Sequence, residues 1–308
     1  MKESRPFMKP AATLRKMINQ RGSFIVPGVY DALSAKIADH LGFPVLFHTG
    51  YGTAASLLAL PDIGMISFKE MKDRVDSNCK TTNKPDIADA DTGYGNALNV
   101  MRTVKEYIRA GAAGLILEDQ VWPKRCGHMK GKSVIPVEEM FGKIAAAVEA
   151  RDELGSDLVI VGRTDSFATG GLDEAIERVR TFKKAGADVL FVEAPLENSD
   201  LAEIAKKVRM PLLLNQIEGG RTPIIPVREA EKLGFKILLF PLTALFAAAR
   251  NVYDVLEYLK RESRTDGLEN KMIGFEDFNE LLDSEKYFEL EKRYELTGPR
   301  TFQDSTSS

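Results

Sequence analysis

The sequence predicts an α/β fold, a single (β/α)8 TIM barrel followed by extra helices. Eight short apolar segments recur along the chain with helix-like stretches between them. Four of these segments are preceded by the same kind of signal, a cationic residue or histidine followed two residues later by glycine. The length of 308 residues lies inside the range of one large barrel.

The candidate strands run in order as FIVPG at 24–28, VLFHTG at 45–50, PDIADAD at 85–91 and GLILED at 114–119. LVIVGRTD at 158–165, VLFVEA at 189–194, PLLLNQ at 211–216 and KILLFPLT at 236–243 complete the set. Such runs suit parallel strands covered on both faces, and their alternation with helices suits a barrel. The glycines of His40-Leu41-Gly42, Arg109-Ala110-Gly111, Lys184-Ala185-Gly186 and Lys232-Leu233-Gly234 are natural helix stops. Between them, Ile176, Val179 and Phe182 recur at helical spacing in the stretch 172–184. A doubly wound open sheet would need a glycine-rich phosphate loop after its first strand, and none follows.

The barrel core is expected at 12–250, a helical extension at 251–296 and a disordered tail at 297–308. Helices are expected near 252–261 and 275–293, the second carrying an apolar stripe of Phe275, Phe278 and Leu282.

Composition excludes several function classes. Hydrophobic residues at 44% and charged residues at 28% describe a soluble globular chain. A formal charge of -3 gives no global field to recruit nucleic acid or anionic lipid. The longest apolar run, 237–249, is too short to span a bilayer and contains Pro241, and the start MKESRPFMKP has no secretory core. A cytoplasmic location follows as the expectation, with Cys79 and Cys126 as free thiols.

Barrel enzymes collect their chemistry at the C-terminal ends of the strands. Here those ends are acidic: Asp89 and Asp91, Glu118 and Asp119, Glu193, and Asp62 after the second strand. Period-two alternation would place Asp89 and Asp91 on one side. Crowded carboxylates repel unless a cation or shared protons neutralise them, and an all-oxygen donor set favours Mg²⁺ or Mn²⁺ over zinc. Taken singly, each acid also reads as a solvated loop residue or helix cap. Arg163 at the end of the fifth strand suits bidentate capture of a carboxylate, or an ion pair with Asp165, and Asn215 ends the seventh strand.

WPKRCGHMKGK at 122–132 sets Cys126 among Lys124, Arg125, Lys130 and Lys132, with His128 nearby. Those cations should lower the thiol pKa and make Cys126 a proton carrier or nucleophile. Gly127 and Gly131 suit a lid over the mouth. Cys-Gly-His lacks the second pair that a zinc site needs, and no aromatic row accompanies the cations as nucleic-acid binding would require.

Five ordered motifs carry a resemblance: Thr49-Gly50-Tyr51-Gly52 with Leu60-Pro61-Asp62, Asp89-Ala90-Asp91-Thr92-Gly93-Tyr94-Gly95, Leu117-Glu118-Asp119-Gln120, Lys124-Arg125-Cys126-Gly127-His128, and Gly162-Arg163-Thr164-Asp165. Over about 26–249 the chain resembles the isocitrate lyase and phosphoenolpyruvate mutase superfamily, on its lyase side. The resemblance implies a barrel assembled as a homotetramer with its last helix swapped between subunits. It implies Asp62, Asp89, Asp91 and Glu118 around Mg²⁺, Asp89 closest, and a catalytic set of Cys126, Lys124, Arg125 and His128. Thr49, Gly50, Tyr51, Gly127, Arg163, Glu193, Asn215 and Glu218 would bind a small 2-hydroxydicarboxylate. The chemistry implied is cleavage between C2 and C3, with Cys126 returning a proton to carbon.

Where some relatives have a tyrosine as base, this chain reads Phe47-His48-Thr49, which leaves His48, Tyr51 or a metal-bound water as alternatives. Phosphonate-processing members carry an asparagine-containing loop in place of the cysteine segment, and full-length isocitrate lyases are much longer. Asn215-Gln216-Ile217-Glu218-Gly219-Gly220-Arg221-Thr222-Pro223 is more like the branch acting on 2,3-dimethylmalate or oxaloacetate than the methylisocitrate branch. Cleavage of 2,3-dimethylmalate to propionate and pyruvate is therefore the first expectation, with methylisocitrate cleavage and oxaloacetate hydrolysis next. The rival of another class is a barrel that binds a metabolite without catalysis.

Overall fold

A computed structural model describes residues 10–129 and 131–295, and the expected tail at 297–308 lies outside them. All eight candidate segments form strands: β1 Phe24–Val29, β2 Leu46–His48, β3 Asp86–Asp89, β4 Gly114–Glu118, β5 Val159–Thr164, β6 Val189–Val192, β7 Leu212–Asn215 and β8 Phe235–Phe240. Every neighbouring pair is parallel, and β8 returns to β1 with Phe24 opposite Ile237, so the barrel is closed.

Alternation along the strands builds two apolar layers. Ile116, Val161, Phe191 and Leu239 fill the barrel, whereas Leu115, Leu117, Ile160 and Leu190 face the surrounding helices. That outer layer is completed by Val104 and Tyr107 of α5 (Ala97–Ala110), Ile144 of α6 (Val137–Glu153) and Phe182 of α7 (Phe167–Lys184). These side chains are at most 1% exposed, so burial of this layer is the main force holding helices to sheet.

Local sequence fixes where helices begin and end. Capping boxes start α2 (Ala32–His40) with Asp31 and Ser34, and α4 (Phe68–Thr81) with Ser67 and Glu70. Gly111 after α5 has φ 97° and Gly234 after α9 (Val227–Leu233) has φ 104°, the left-handed stop expected of both. The periodic stretch 172–184 is helical as read, within a helix that bends at Gly171.

The chain divides into two compact units, 1–249 and 250–308. Helix α10 (Thr243–Glu262) begins in the first and continues in the second, which also holds α11 (Phe275–Leu281) and α12 (Ser284–Glu295). The expected helix at 275–293 is thus two helices, and Phe275 of its apolar stripe is 86% exposed. Among the described residues no helix is long and apolar enough to cross a membrane.

Candidate active site

Because all strands are parallel, their C-terminal ends open on one mouth. A small cavity open to solvent lies there. Its polar wall includes Thr49, Tyr51, Asp62, Asp89, Lys124 and Cys126, continued by Gly127, Arg163, Glu193 and Asn215. Its apolar wall includes Phe47, Ile116, Phe191, Ile217, Leu239 and Leu242.

The acidic side is organised by backbone. Asp89 ends β3 and accepts the Gly50 amide at 3.2 Å and the Asp91 amide at 3.0 Å. Strand alternation stops there, so the expected side-by-side placement of Asp89 and Asp91 gives way to a turn with Asp91 at φ 46°. Asp91 is fully buried beneath the mouth and meets Lys124, whose Nζ lies 2.8 Å from Asp91 Oδ1 and 2.5 Å from Asp62 Oδ1. Burial opposes the Lys124 charge, but Asp91, Asp62, Asp89 and Glu118 outweigh it and hold its pKa well above the usual value. Burial pushes Asp91 up to about 6 despite Lys124, with Asp89 and Asp62 adding to the rise. Glu118 is also pushed well up by burial, against the pull of Arg163.

The segment after β4 lies across the mouth. Gln120 clamps it by donating to the Arg125 carbonyl at 2.8 Å and accepting the Arg125 amide at 2.9 Å, while the Cys126 amide donates to the Asp62 carbonyl at 3.0 Å. The expected lowering of the Cys126 pKa is reversed: burial and the neighbouring Asp62 push the thiol up to about 11. Sequence proximity misleads here because Lys124 is committed to Asp62 and Asp91, Arg125 is exposed, and Lys132 is paired with Asp165. The thiol therefore keeps its proton at neutral pH.

Opposite Cys126, Arg163 donates through Nε and Nη2 to Asp165 at 2.9 and 3.1 Å, the ion pair read as an alternative from sequence. It also lies 3.3 Å from Glu118 and 3.8 Å from Glu193. Burial acts to raise the Glu193 pKa, but Arg163, His128 and Lys132 overcome it and hold the carboxyl at about 2. His128 places Nε2 2.8 Å from Glu193 and accepts the Arg221 amide on Nδ1 at 2.8 Å. Asn215 donates to Glu193 at 3.2 Å and leaves its Oδ1 without a partner in the cavity wall.

Ten of the predicted site residues line the cavity. Gly50, Asp91, Glu118 and His128 stand behind the wall, each in contact with a lining residue. Arg125 and Glu218 are exposed and outside it, Glu218 accepting the Thr243 hydroxyl. His48 is turned away from the cavity: Asn78 contacts Nδ1 at 2.8 Å and Thr53 contacts Nε2 at 3.0 Å. Burial, then Arg74, lowers its pKa to about 3, so it stands as a neutral buried side chain and no base. Tyr51 remains at the cavity with its phenol pKa raised by burial and by Cys126. Sequence reading passed over Lys132 as a partner of Asp165; the only signal was its place in the same cationic run.

The acids are not drawn into a finished cage, since among the described residues no three His, Cys, Asp or Glu side chains converge to hold an ion. Their chemistry nonetheless suits a hard divalent cation. Asp91 Oδ2 and Glu118 Oε1 are buried without a hydrogen-bond partner, and Asp62, Asp89, Asp91 and Glu118 together carry more negative charge than Lys124 neutralises.

The chain is 48% identical over 294 residues to carboxyvinyl-carboxyphosphonate phosphorylmutase, chloroplastic, of Arabidopsis thaliana, covering 94% of this chain and 86% of that protein. It is 42% identical over 287 residues to 2,3-dimethylmalate lyase of Eubacterium barkeri, covering 93% and 99%. Among solved structures, oxaloacetate acetylhydrolase in complex with 3,3-difluorooxalacetate superposes with a TM-score of 0.89 at 37% identity, covering 94% of this chain and 98% of that one. Phosphonopyruvate hydrolase in complex with oxalate and Mg²⁺ superposes with a TM-score of 0.84 at 27% identity, covering 93% and 99%. With residues 14–260 matching the phosphoenolpyruvate phosphomutase family and lyases among its near relatives, the chain belongs to the isocitrate lyase/phosphoenolpyruvate mutase superfamily of enzymes.

Proposed function

We propose that this enzyme is a divalent-cation-dependent carbon–carbon lyase acting on a substituted malate, with 2,3-dimethylmalate, cleaved to propionate and pyruvate, as the first choice. The observation that carries the reading is Cys126. Its thiol lines the same cavity as Arg163 and Asp89 and is held protonated, with a pKa pushed up to about 11 by burial and Asp62. A group that must hand a proton to a carbanion needs to hold that proton at neutral pH.

Asp62, Asp89, Asp91 and Glu118 would hold the cation, directly or through water. When bound, Mg²⁺ supplies positive charge to orient a 2-hydroxy carboxylate and to stabilise charge developing in the transition state. Arg163 offers a fork, already fixed by Asp165, for a substrate carboxylate. As the hydroxyl proton passes to a base, Tyr51 or a water in the cavity being the acceptors left once His48 is turned away, the C2–C3 bond breaks, C2 becomes the carbonyl of a 2-oxo acid and the bonding pair remains on C3. Cys126 then gives its proton to C3, releasing the second carboxylic acid. The walls formed by Ile116, Phe191, Ile217, Leu239 and Leu242 exclude water from the reacting carbons and suit short alkyl substituents.

Release of pyruvate from a panel of malates tests the reading. 2,3-Dimethylmalate should be cleaved with the highest kcat/KM; activity confined to methylisocitrate would move the substrate to one with a further carboxylate, and oxalate formed from oxaloacetate would make the enzyme a hydrolase. The name of the Arabidopsis relative favours a second reading, phosphorus–carbon chemistry, which activity on a phosphonate alone would establish in place of the first. The same reading includes a homotetramer that exchanges its last helix, supported by exposed Phe275, Tyr287 and Phe288 on α11 and α12. Light scattering during size exclusion should give four chains per particle.

A further inference from the structure

We propose that Lys132 is a positioning residue, which holds the Cys126–Gly127 peptide over the cavity by tying the Gly127 carbonyl to Asp165. The Lys132 side chain is 1% exposed and that of Asp165 fully buried. Its Nζ donates to Asp165 Oδ1 at 2.7 Å and to the Gly127 carbonyl. Taking an ammonium out of water is costly, and here Asp165 and the buried Gly127 carbonyl are the partners that offset it.

The other end of the clasp belongs to the barrel. The Asp165 amide donates to Asp119 Oδ1 at 2.9 Å, and the preceding Thr164 hydroxyl donates to Asp119 Oδ2 at 2.6 Å. Asp165 also accepts from Nε and Nη2 of Arg163, leaving the outward Nη protons for the substrate. One rigid carboxylate thus aligns the substrate-binding fork on β5 and, through Lys132, the peptide next to the proton-donating thiol. Such coupling sets the thiol and the fork at a fixed separation, which the transfer of a proton to carbon requires.

The inference rests on the lyase reading only in giving Cys126 its role, and its test needs no substrate. Cys126 and Cys79 are both free thiols and serve as local probe and internal reference. In full-length Lys132→Met, alkylation by iodoacetamide followed by peptide mass spectrometry should proceed at Cys126 at least about tenfold faster than in the native enzyme, with Cys79 unchanged. Turnover of the cleaved malate should fall by a similar factor or more, with a smaller change in KM because Arg163 keeps its grip on Asp165. An unchanged Cys126 rate overturns the inference, and so does a parallel rise at both cysteines, which reports a loosened fold. Should Lys132→Met not fold, Asp165→Asn weakens the clasp from the other side and is read by the same two outcomes. Selective exposure of Cys126 in an enzyme that cleaves no malate would sink the lyase reading and leave the clasp standing.

Discussion

Gly127 is packed so closely against Glu193 that a Cβ on it would overlap Cγ of Glu193, and it would crowd Nη2 of Arg163 as well. The two flanking groups are held by ion pairs and cannot easily give way. Gly127→Ala is therefore expected to fold, since the segment lies at the mouth, while lowering kcat/KM about 100-fold through displacement of Cys126 and Arg163. Steady-state kinetics beside a circular dichroism melt would show it; near-native kinetics would mean the segment sits elsewhere during turnover.

Cys126→Ser keeps the shape of the side chain and replaces the thiol by a much weaker acid. Turnover should fall by about 100-fold or more, with KM and the melting temperature nearly unchanged. Because burial and Asp62 hold the native thiol at about 11, the kcat profile should show no loss assigned to Cys126 between pH 7 and 9. A loss in that range that disappears in the serine variant would contradict the protonated thiol.

Arg163→Lys preserves charge and removes the fork. Asp165 loses one of the two hydrogen bonds it accepts from Arg163, and the substrate carboxylate loses bidentate capture. An increase in KM of about tenfold or more is expected, larger than the change in kcat, and initial-rate measurements over substrate concentration decide it.

Removal of divalent cations should abolish turnover and leave secondary structure intact, since the barrel core does not depend on the acids at its mouth. Mg²⁺ or Mn²⁺ added back should restore activity and raise the melting temperature, as any ligand of the folded state does. Full activity after exhaustive chelation would contradict the role given to Asp62, Asp89, Asp91 and Glu118.

Asp86, at the opposite end of β3, has no part in the site and is buried, which pushes its pKa from 3.8 to about 7. Its folded pKa lies above its unfolded one, so its contribution to stability is fully present below about pH 4 and is lost as pH rises through 7. Above pH 8 the ionised form costs up to ~4 kcal/mol by this linkage. Asp86→Asn should melt higher than the native protein at pH 8 and show little difference at pH 4. Melts at the two pH values test this; equal shifts at both would assign the effect to packing.

All eight strands were legible because parallel strands buried on both faces are apolar throughout, and because Gly42, Gly111, Gly186 and Gly234 each adopt the positive φ that stops a helix. The acids at the strand ends were legible from position alone. What sequence could not show was which charges meet. Lys124 is two residues from Cys126 yet spends its charge on Asp62 and Asp91, and the thiol responds to burial more than to its neighbours in the chain. His48 stands beside Thr49, a cavity residue, but strand alternation turns it outward to Asn78 of α4. Such outcomes depend on distances between segments far apart in sequence.

Because β8 pairs with β1, the ring of strands presents no unpaired edge. Another chain cannot extend this sheet by adding a strand to it, which removes the commonest route by which β proteins polymerise. Self-association of the folded enzyme must instead use helix or loop surfaces, where side-chain shape and charge choose the partner and can limit the number of copies.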